Sequence, residues 1–193
     1  MAIKSVCVFC GASSGDNSAY LEDATRLGIE FAKNGINLVY GGGGAGIMGQ
    51  IADTVFENGG EVIGIIPDYL RSRELGHEKI SRLEVVKNMH ERKKRMFDLA
   101  DGIVVLPGGV GTLEEALEVI TWKQLGMHNK PVAILNTLGY WTKLDELIVS
   151  TIKHKFAAPP TGDLYEMVDR PNEIIETLEL SQQNPVDTDL ARL

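Results

Sequence analysis

The chain has 193 residues, of which 44% are hydrophobic and 24% charged, and its formal net charge is -8. That length suits one domain with a sizeable core, and the composition excludes disordered and fibrous classes. The acidic balance argues against a protein that grips nucleic-acid backbone, and no apolar run approaches the roughly 20 residues of a membrane helix. The opening MAIKSVCVFCGASSG lacks the pattern of a signal peptide, so a cytoplasmic protein with no membrane and no nucleic-acid partner is expected.

Short apolar runs alternate with amphipathic stretches, as in a parallel sheet covered by helices. The first predicted strand, Ser5–Cys10, contains both cysteines. Three residues of extended chain separate their Cα atoms by roughly 10 Å, beyond disulfide reach. No histidine spacing offers further zinc ligands, so Cys7 and Cys10 are expected to be core thiols. Tyr20, Ala24, Leu27, Gly28 and Phe31 then recur at helical spacing until Asn34-Gly35. A second strand at Ile36–Tyr40 leads to Ile47, Met48, Ile51, Ala52, Val55 and Phe56, again helical, stopped by Asn58-Gly59-Gly60.

A strand at Glu61–Ile66 is followed by a stretch, 67–81, that breaks the rhythm with Pro67, charges and Gly76. It is predicted to be a long loop near the ligand site. Strands at Arg82–Val86, Gly102–Leu106 and Pro131–Leu135 alternate with helices at Asn88–Ala100, Thr112–Leu125 and Tyr140–Lys155. A short helix at Asn172–Leu178 comes last. The pattern predicts an α/β doubly wound parallel sheet with helices on both faces, a single domain over 1–180 and a polar tail over 181–193.

Three strand ends run into small-residue turns, at 11–15, 41–46 and 108–111. In a doubly wound sheet these turns share the carboxyl edge, where ligands bind beside a switch in strand order. Glycines let main-chain N–H groups approach an anion, and the helix N-terminus behind each turn adds partial positive charge. A phosphate-bearing ligand follows, with Gly11, Ser13, Ser14, Gly43, Gly44 and Gly108 among its candidate contacts. Gly41, Gly43 and Gly46 form G-x-G-x-x-G, but the acidic residue of a dinucleotide site should end the next strand and Glu61 begins it. No Gly-Lys-Ser/Thr follows either loop, which disfavours a P-loop. No cofactor and no metal are expected.

Two segments carry candidate chemistry. Thr112-Leu113-Glu114-Glu115 follows the third turn, and two readings of Glu115 stand side by side: a capping box with Thr112, or a carboxylate bordering a cleft beside a face of Leu113, Ala116, Leu117 and Ile120. Met89-His90-Glu91-Arg92-Lys93-Lys94-Arg95 is either a solvated basic face or a helix that offers Arg92 from the flank of its Met89, Lys93, Met96 stripe as a planar donor fork.

Pro107-Gly108-Gly109-Val110-Gly111-Thr112-Leu113-Glu114-Glu115 resembles the P-G-G-x-G-T-x-x-E signature of the Lonely Guy (LOG) family, the cytokinin-activating phosphoribohydrolases. Met89-His90-Glu91-Arg92-Lys93 resembles that family's M-H-x-R-K element. The likeness covers roughly Ser5 to Leu135; Val110 and Ile47 are small departures from it. It implies a Rossmann-like homodimer that cleaves cytokinin riboside 5′-monophosphates or AMP to free base and ribose 5-phosphate. It places catalytic roles on Arg92 and Glu115, and nucleotide contacts on Lys93, Gly109, Val110, Gly111, Thr112, Leu113, Glu114, Thr121 and Glu74. Relatives of this kind have also been labelled lysine decarboxylases, but no lysine here sits in a recognisable pyridoxal phosphate setting. The rival readings are a non-catalytic nucleotide-sensing module and, more distantly, a single-stranded DNA binder, against which the net charge weighs.

Overall fold

The computed structural model describes residues 2–71, 76–77 and 79–186. Seven parallel strands form one sheet: β1 (Ser5–Phe9), β2 (Asn37–Tyr40), β3 (Val62–Pro67), β4 (Arg82–Val86), β5 (Gly102–Val105), β6 (Val132–Leu135) and β7 (Glu166–Val168), in the order β4-β3-β2-β1-β5-β6-β7. The first six lie within one residue of their predicted ends. The seventh, three residues paired with β6, is too short for its periodicity to stand out.

From β1 the chain steps outward to β2, β3 and β4, then returns to the other side of β1 for β5, β6 and β7. The winding therefore reverses between β1 and β5, where Val6 pairs with Gly102 and Phe9 with Val105. In a parallel sheet the turns leaving β2, β1 and β5 must then lie side by side on one edge.

Helices cover both faces: α1 (Ala19–Lys33), α2 (Gly46–Glu57), α3 (Asp68–Arg71), α4 (Met89–Asp98), α5 (Val110–Gln124), α6 (Thr142–Lys153) and α7 (Ile174–Gln183). Side chains alternate across a strand, so β1 feeds two cores. Val6, Val8 and Cys10 pack with Leu27, Phe31, Ile51 and Leu178. Cys7 and Phe9 pack with Met96, Ala116, Ile120 and Leu144 on the other face. The two thiols are free, buried and on opposite sides of the sheet, and burial, reinforced by the negative charge of Glu115, pushes both well above the ordinary thiol range.

The predicted loop at 67–81 contains a helical turn, α3, and Gly76 forms an antiparallel bridge with Gly43. The predicted helix at Tyr140–Lys155 is α6, two residues shorter at each end, and a 3-10 turn at Thr137–Gly139 precedes it. The last predicted helix likewise becomes a 3-10 turn at Pro171–Glu173 followed by α7, which runs through Gln183 and so passes the boundary expected at 181.

One glycine shows how tightly the edge is built. Gly46 has φ +61°, and a Cβ placed on it would lie 2.4 Å from the carbonyl carbon of Ala12. Backbone strain and a main-chain collision add, so Gly46→Ala is expected to cost about 2–4 kcal/mol. A chemical denaturation midpoint that stays at the wild-type value would contradict this.

Candidate active site

The turns after β1, β2 and β5 touch one another. Gly11 N–H donates to Pro107 O at 3.0 Å, and Met48 N–H donates to Gly11 O at 3.1 Å. A Cβ on Gly108 would come within 2.1 Å of Thr112 Oγ1 and 2.8 Å of Gly11 N, so the third turn tolerates no side chain there. Together the turns border a cavity of about 540 Å³ at the carboxyl edge of the sheet. Gly11, Ala12, Ser13, Gly41, Gly108, Gly109, Gly111 and Thr112 supply one part of its wall. Asp16, Arg92, Glu114 and Glu115 supply charge, and Met48, Leu70, Met89 and Met96 apolar lining.

Helix α5 begins at Val110, with Gly109 as N-cap and no side-chain cap. Thr112 is therefore the third helical residue and Glu115 the sixth, a full turn beyond where a capping-box glutamate can reach the cap. The capping reading of Glu115 is overturned: Val110 and Gly111 are already helical. A side-chain cap occurs instead at α4, where Asn88 Oδ1 accepts Glu91 N–H at 2.9 Å and Glu91 Oε2 accepts Lys87 N–H at 3.0 Å. The uncapped start of α5 leaves its first N–H groups and its dipole available to an anion. Its buried face consists of Thr112, Ala116, Val119, Ile120 and Lys123, while Leu117, expected inside, is exposed.

Arg92 is 4% exposed, so the solvated-face reading of α4 fails at this residue. Its Nε donates to Ile65 O at 3.1 Å and one terminal nitrogen to Gly41 O at 2.7 Å. Gly41 follows the last residue of β2, and Ile65 lies within β3 just past that strand's last pairing with β2, Tyr40 with Gly64; two carbonyl acceptors so placed suit a planar guanidinium. A Cβ on Gly41 would lie 2.0 Å from the same terminal nitrogen. A side chain at 41 would therefore displace the guanidinium from this position. Arg92 and Glu115, of opposite charge, line the same cavity as Cys10, the residue after β1.

Lys93 is buried as well and pairs with Glu114 at 2.5 Å and Glu118 at 2.9 Å, tying α4 to α5. Burial lowers its pKa, but the two carboxylates more than offset this and the net shift is upward. A raised folded pKa stabilises the fold below the unfolded value and loses that contribution as pH rises through the folded one. The Lys93 contribution should thus be complete at neutral pH and vanish only on the alkaline side of 10.5. Lys93→Met is expected to lower thermal stability at pH 7 while removing this share of the alkaline loss; an alkaline limb identical to wild type in thermal melts would refute the pairing as its cause.

The remaining candidates divide. Gly11, Ser13, Gly108, Gly109, Gly111, Thr112 and Glu114 line the cavity with Arg92 and Glu115. Ser14, Gly43, Gly44, Lys93, Val110 and Leu113 stand behind or beside it; Gly43 is occupied by the bridge to Gly76. Thr121 faces outward and donates its hydroxyl to Leu117 O at 2.7 Å. Glu74 lies outside the described residues. Sequence reasoning missed Tyr20, Leu70 and Tyr140 as lining residues. Tyr20 and Tyr140 each stand near the start of a helix after a strand on the turn-bearing edge, a position that could have flagged them.

The family described as "Possible lysine decarboxylase" matches residues 48–178, more than half of the chain. The chain belongs to this family. A cytokinin riboside 5′-monophosphate phosphoribohydrolase of Arabidopsis thaliana is 43% identical over 176 residues, covering 91% of this chain and 83% of that protein. A probable enzyme of the same name from Oryza sativa subsp. japonica is 42% identical over 91% of this chain and 70% of its own length. Among solved structures, the molybdenum cofactor carrier protein of Chlamydomonas reinhardtii superposes with a TM-score of 0.72 at 18% identity, covering 93% of this chain and 98% of that one. The single-stranded DNA-binding DNA processing protein A of Helicobacter pylori gives 0.58 at 15%, with 92% and 80% covered. These two likenesses are of fold.

Proposed function

We propose that this member of the family hydrolyses the N-glycosidic bond of adenine-type nucleoside 5′-monophosphates, taking up water and releasing free base and ribose 5-phosphate. The observation that carries the reading is Glu115, a carboxylate released from helix capping and lining one cavity with the uncapped start of α5 and the anchored Arg92. The names of the curated relatives point the same way.

The chemistry assigns roles. Departure of the base builds oxocarbenium character on the ribose, and a carboxylate beside the anomeric carbon stabilises that charge or activates the water that captures it. We assign this to Glu115. Negative charge develops on the leaving base, and the fixed guanidinium of Arg92 offsets it. The first-turn N–H groups of α5 hold the 5′-phosphate and so position the ribose. The apolar lining of Met48, Leu70, Met89 and Met96 receives the base and any apolar group on it. Glu74, Ser14, Gly43, Gly44, Lys93, Val110, Leu113 and Thr121 stay assigned on the loop and family patterns. No cofactor enters this scheme.

Glu115→Gln keeps the shape and removes the charge. It is expected to lower ribose 5-phosphate release from AMP by about 10³-fold while leaving nucleotide binding nearly intact. A variant retaining most of its turnover would sink the assignment, and comparison of AMP with an N6-prenylated AMP would rank the substrates.

We further propose a cytoplasmic homodimer. No helix among the described residues is long and apolar enough to cross a membrane, and α5 leaves Val110, Leu117 and its C-cap Leu125 exposed on the side that carries Thr121. A second copy on this face would cover them. Light scattering should give twice the chain mass for the wild type and one chain mass for Leu117→Asp; a monomeric wild type would end the proposal.

A further inference from the structure

Tyr140 belongs to none of the motifs that carry the proposed chemistry, yet its surroundings are built with unusual care. It follows β6 on the 3-10 turn, in which Leu138 (φ +54°) and Gly139 (φ +75°) are consecutive left-handed residues. A leucine resists that conformation, so the neighbourhood must hold it. Asn136 does much of this: its carbonyl accepts Gly139 N–H at 2.9 Å and its side-chain oxygen accepts Trp141 N–H at 2.8 Å. Thr137 Oγ1 donates to Asp23 Oδ2 at 2.8 Å, tying the turn to α1. The Tyr140 ring then stands edge-on between Tyr20, with centroids 5.7 Å apart, and the buried Trp141, at 4.8 Å.

What this clamp presents is a hydroxyl. Tyr140 O–H donates to Gly108 O at 2.6 Å, from the next strand over, while the ring itself lines the cavity. Gly108 and Gly109 flank a peptide with no Cβ on either side, a unit that turns over easily. In a trans peptide the carbonyl and the following N–H point in opposite directions. Holding Gly108 O toward Tyr140 therefore fixes the direction of Gly109 N–H. That N–H donates to no main-chain acceptor among the described residues and belongs to the N-cap of α5, on the cavity wall.

We infer that Tyr140 is a positioning residue for phosphate binding, latching the Gly108–Gly109 peptide so that the N-cap N–H of α5 is set for the phosphate of the ligand. The inference rests on the nucleotide reading of the cavity, and it assigns Tyr140 no part in bond cleavage.

Tyr140→Phe removes the latch and keeps the ring contacts; Tyr140→Leu removes both. For Tyr140→Phe, KM for AMP and the inhibition constant of ribose 5-phosphate are expected to rise about tenfold, with kcat within threefold of the wild type and inhibition by adenine, which has no phosphate, unchanged. Tyr140→Leu should weaken ribose 5-phosphate at least as much. Unchanged ribose 5-phosphate inhibition in Tyr140→Phe overturns the inference, as does equal weakening of ribose 5-phosphate and adenine or a loss confined to kcat. Should the wild type fail to cleave AMP, the hydrolytic reading falls by itself. The latch is then judged by calorimetric titration of wild type and Tyr140→Phe with ribose 5-phosphate, where equal affinities, or no binding to either, overturn it.

Discussion

The architecture of the site depends on main chain meeting main chain without side chains between. Gly11 lies against Gly108, Gly46 against Ala12 and Gly49 against Gly44, each at a separation that a single added carbon would violate. Such contacts arise because β2, β1 and β5 are parallel neighbours and their outgoing turns have one edge to share. Side chains there would hold the turns apart and put hydrocarbon where amide dipoles now face the cavity. Glycine is thus a packing requirement first, and the electrostatic character of the edge follows from it.

A second consequence is that a few charges act in a place shielded from the rest of the molecule. The protein is acidic by composition, yet its carboxyl edge gathers the start of α5 and the guanidinium of Arg92, which the main-chain carbonyls of Gly41 and Ile65 orient. Glu115 stands in the same cavity. Lys93, next to Arg92 in sequence, turns away to Glu114 and Glu118 and fastens α4 to α5. Adjacent basic residues on one helix therefore do different work, one bordering the cavity and one joining the helices that form its walls.

The fold neighbours show how little the fold alone decides. A molybdenum cofactor carrier and a DNA processing protein share the course of the chain at less than a quarter identity, and what separates such proteins is the set of side chains around the common edge. Here that set includes three methionines, two tyrosines and a carboxylate one turn inside a helix. The relatives above 40% identity share more than twice as much of the sequence overall.

The sequence by itself determined the alternation of strand and helix, because apolar runs and helical stripes are local signals, and six strands could be located from them to within a residue. It also determined that three glycine turns end parallel strands. Only the tertiary structure decided what Glu115 and Arg92 are. A capping box and a cavity carboxylate have the same spacing, and the difference lies in where α5 starts, which the packing of Gly108 against Thr112 and Gly11 accompanies and no periodicity reveals. A basic helix face and a buried arginine likewise read alike until the carbonyls of Gly41, just after β2, and Ile65, in β3, arrive beside one of the residues. Tyr140 was illegible for the same reason: its partner Gly108 lies 32 positions away, in the turn after β5. Contacts of that range are set by strand order, and strand order is a property of the assembled sheet.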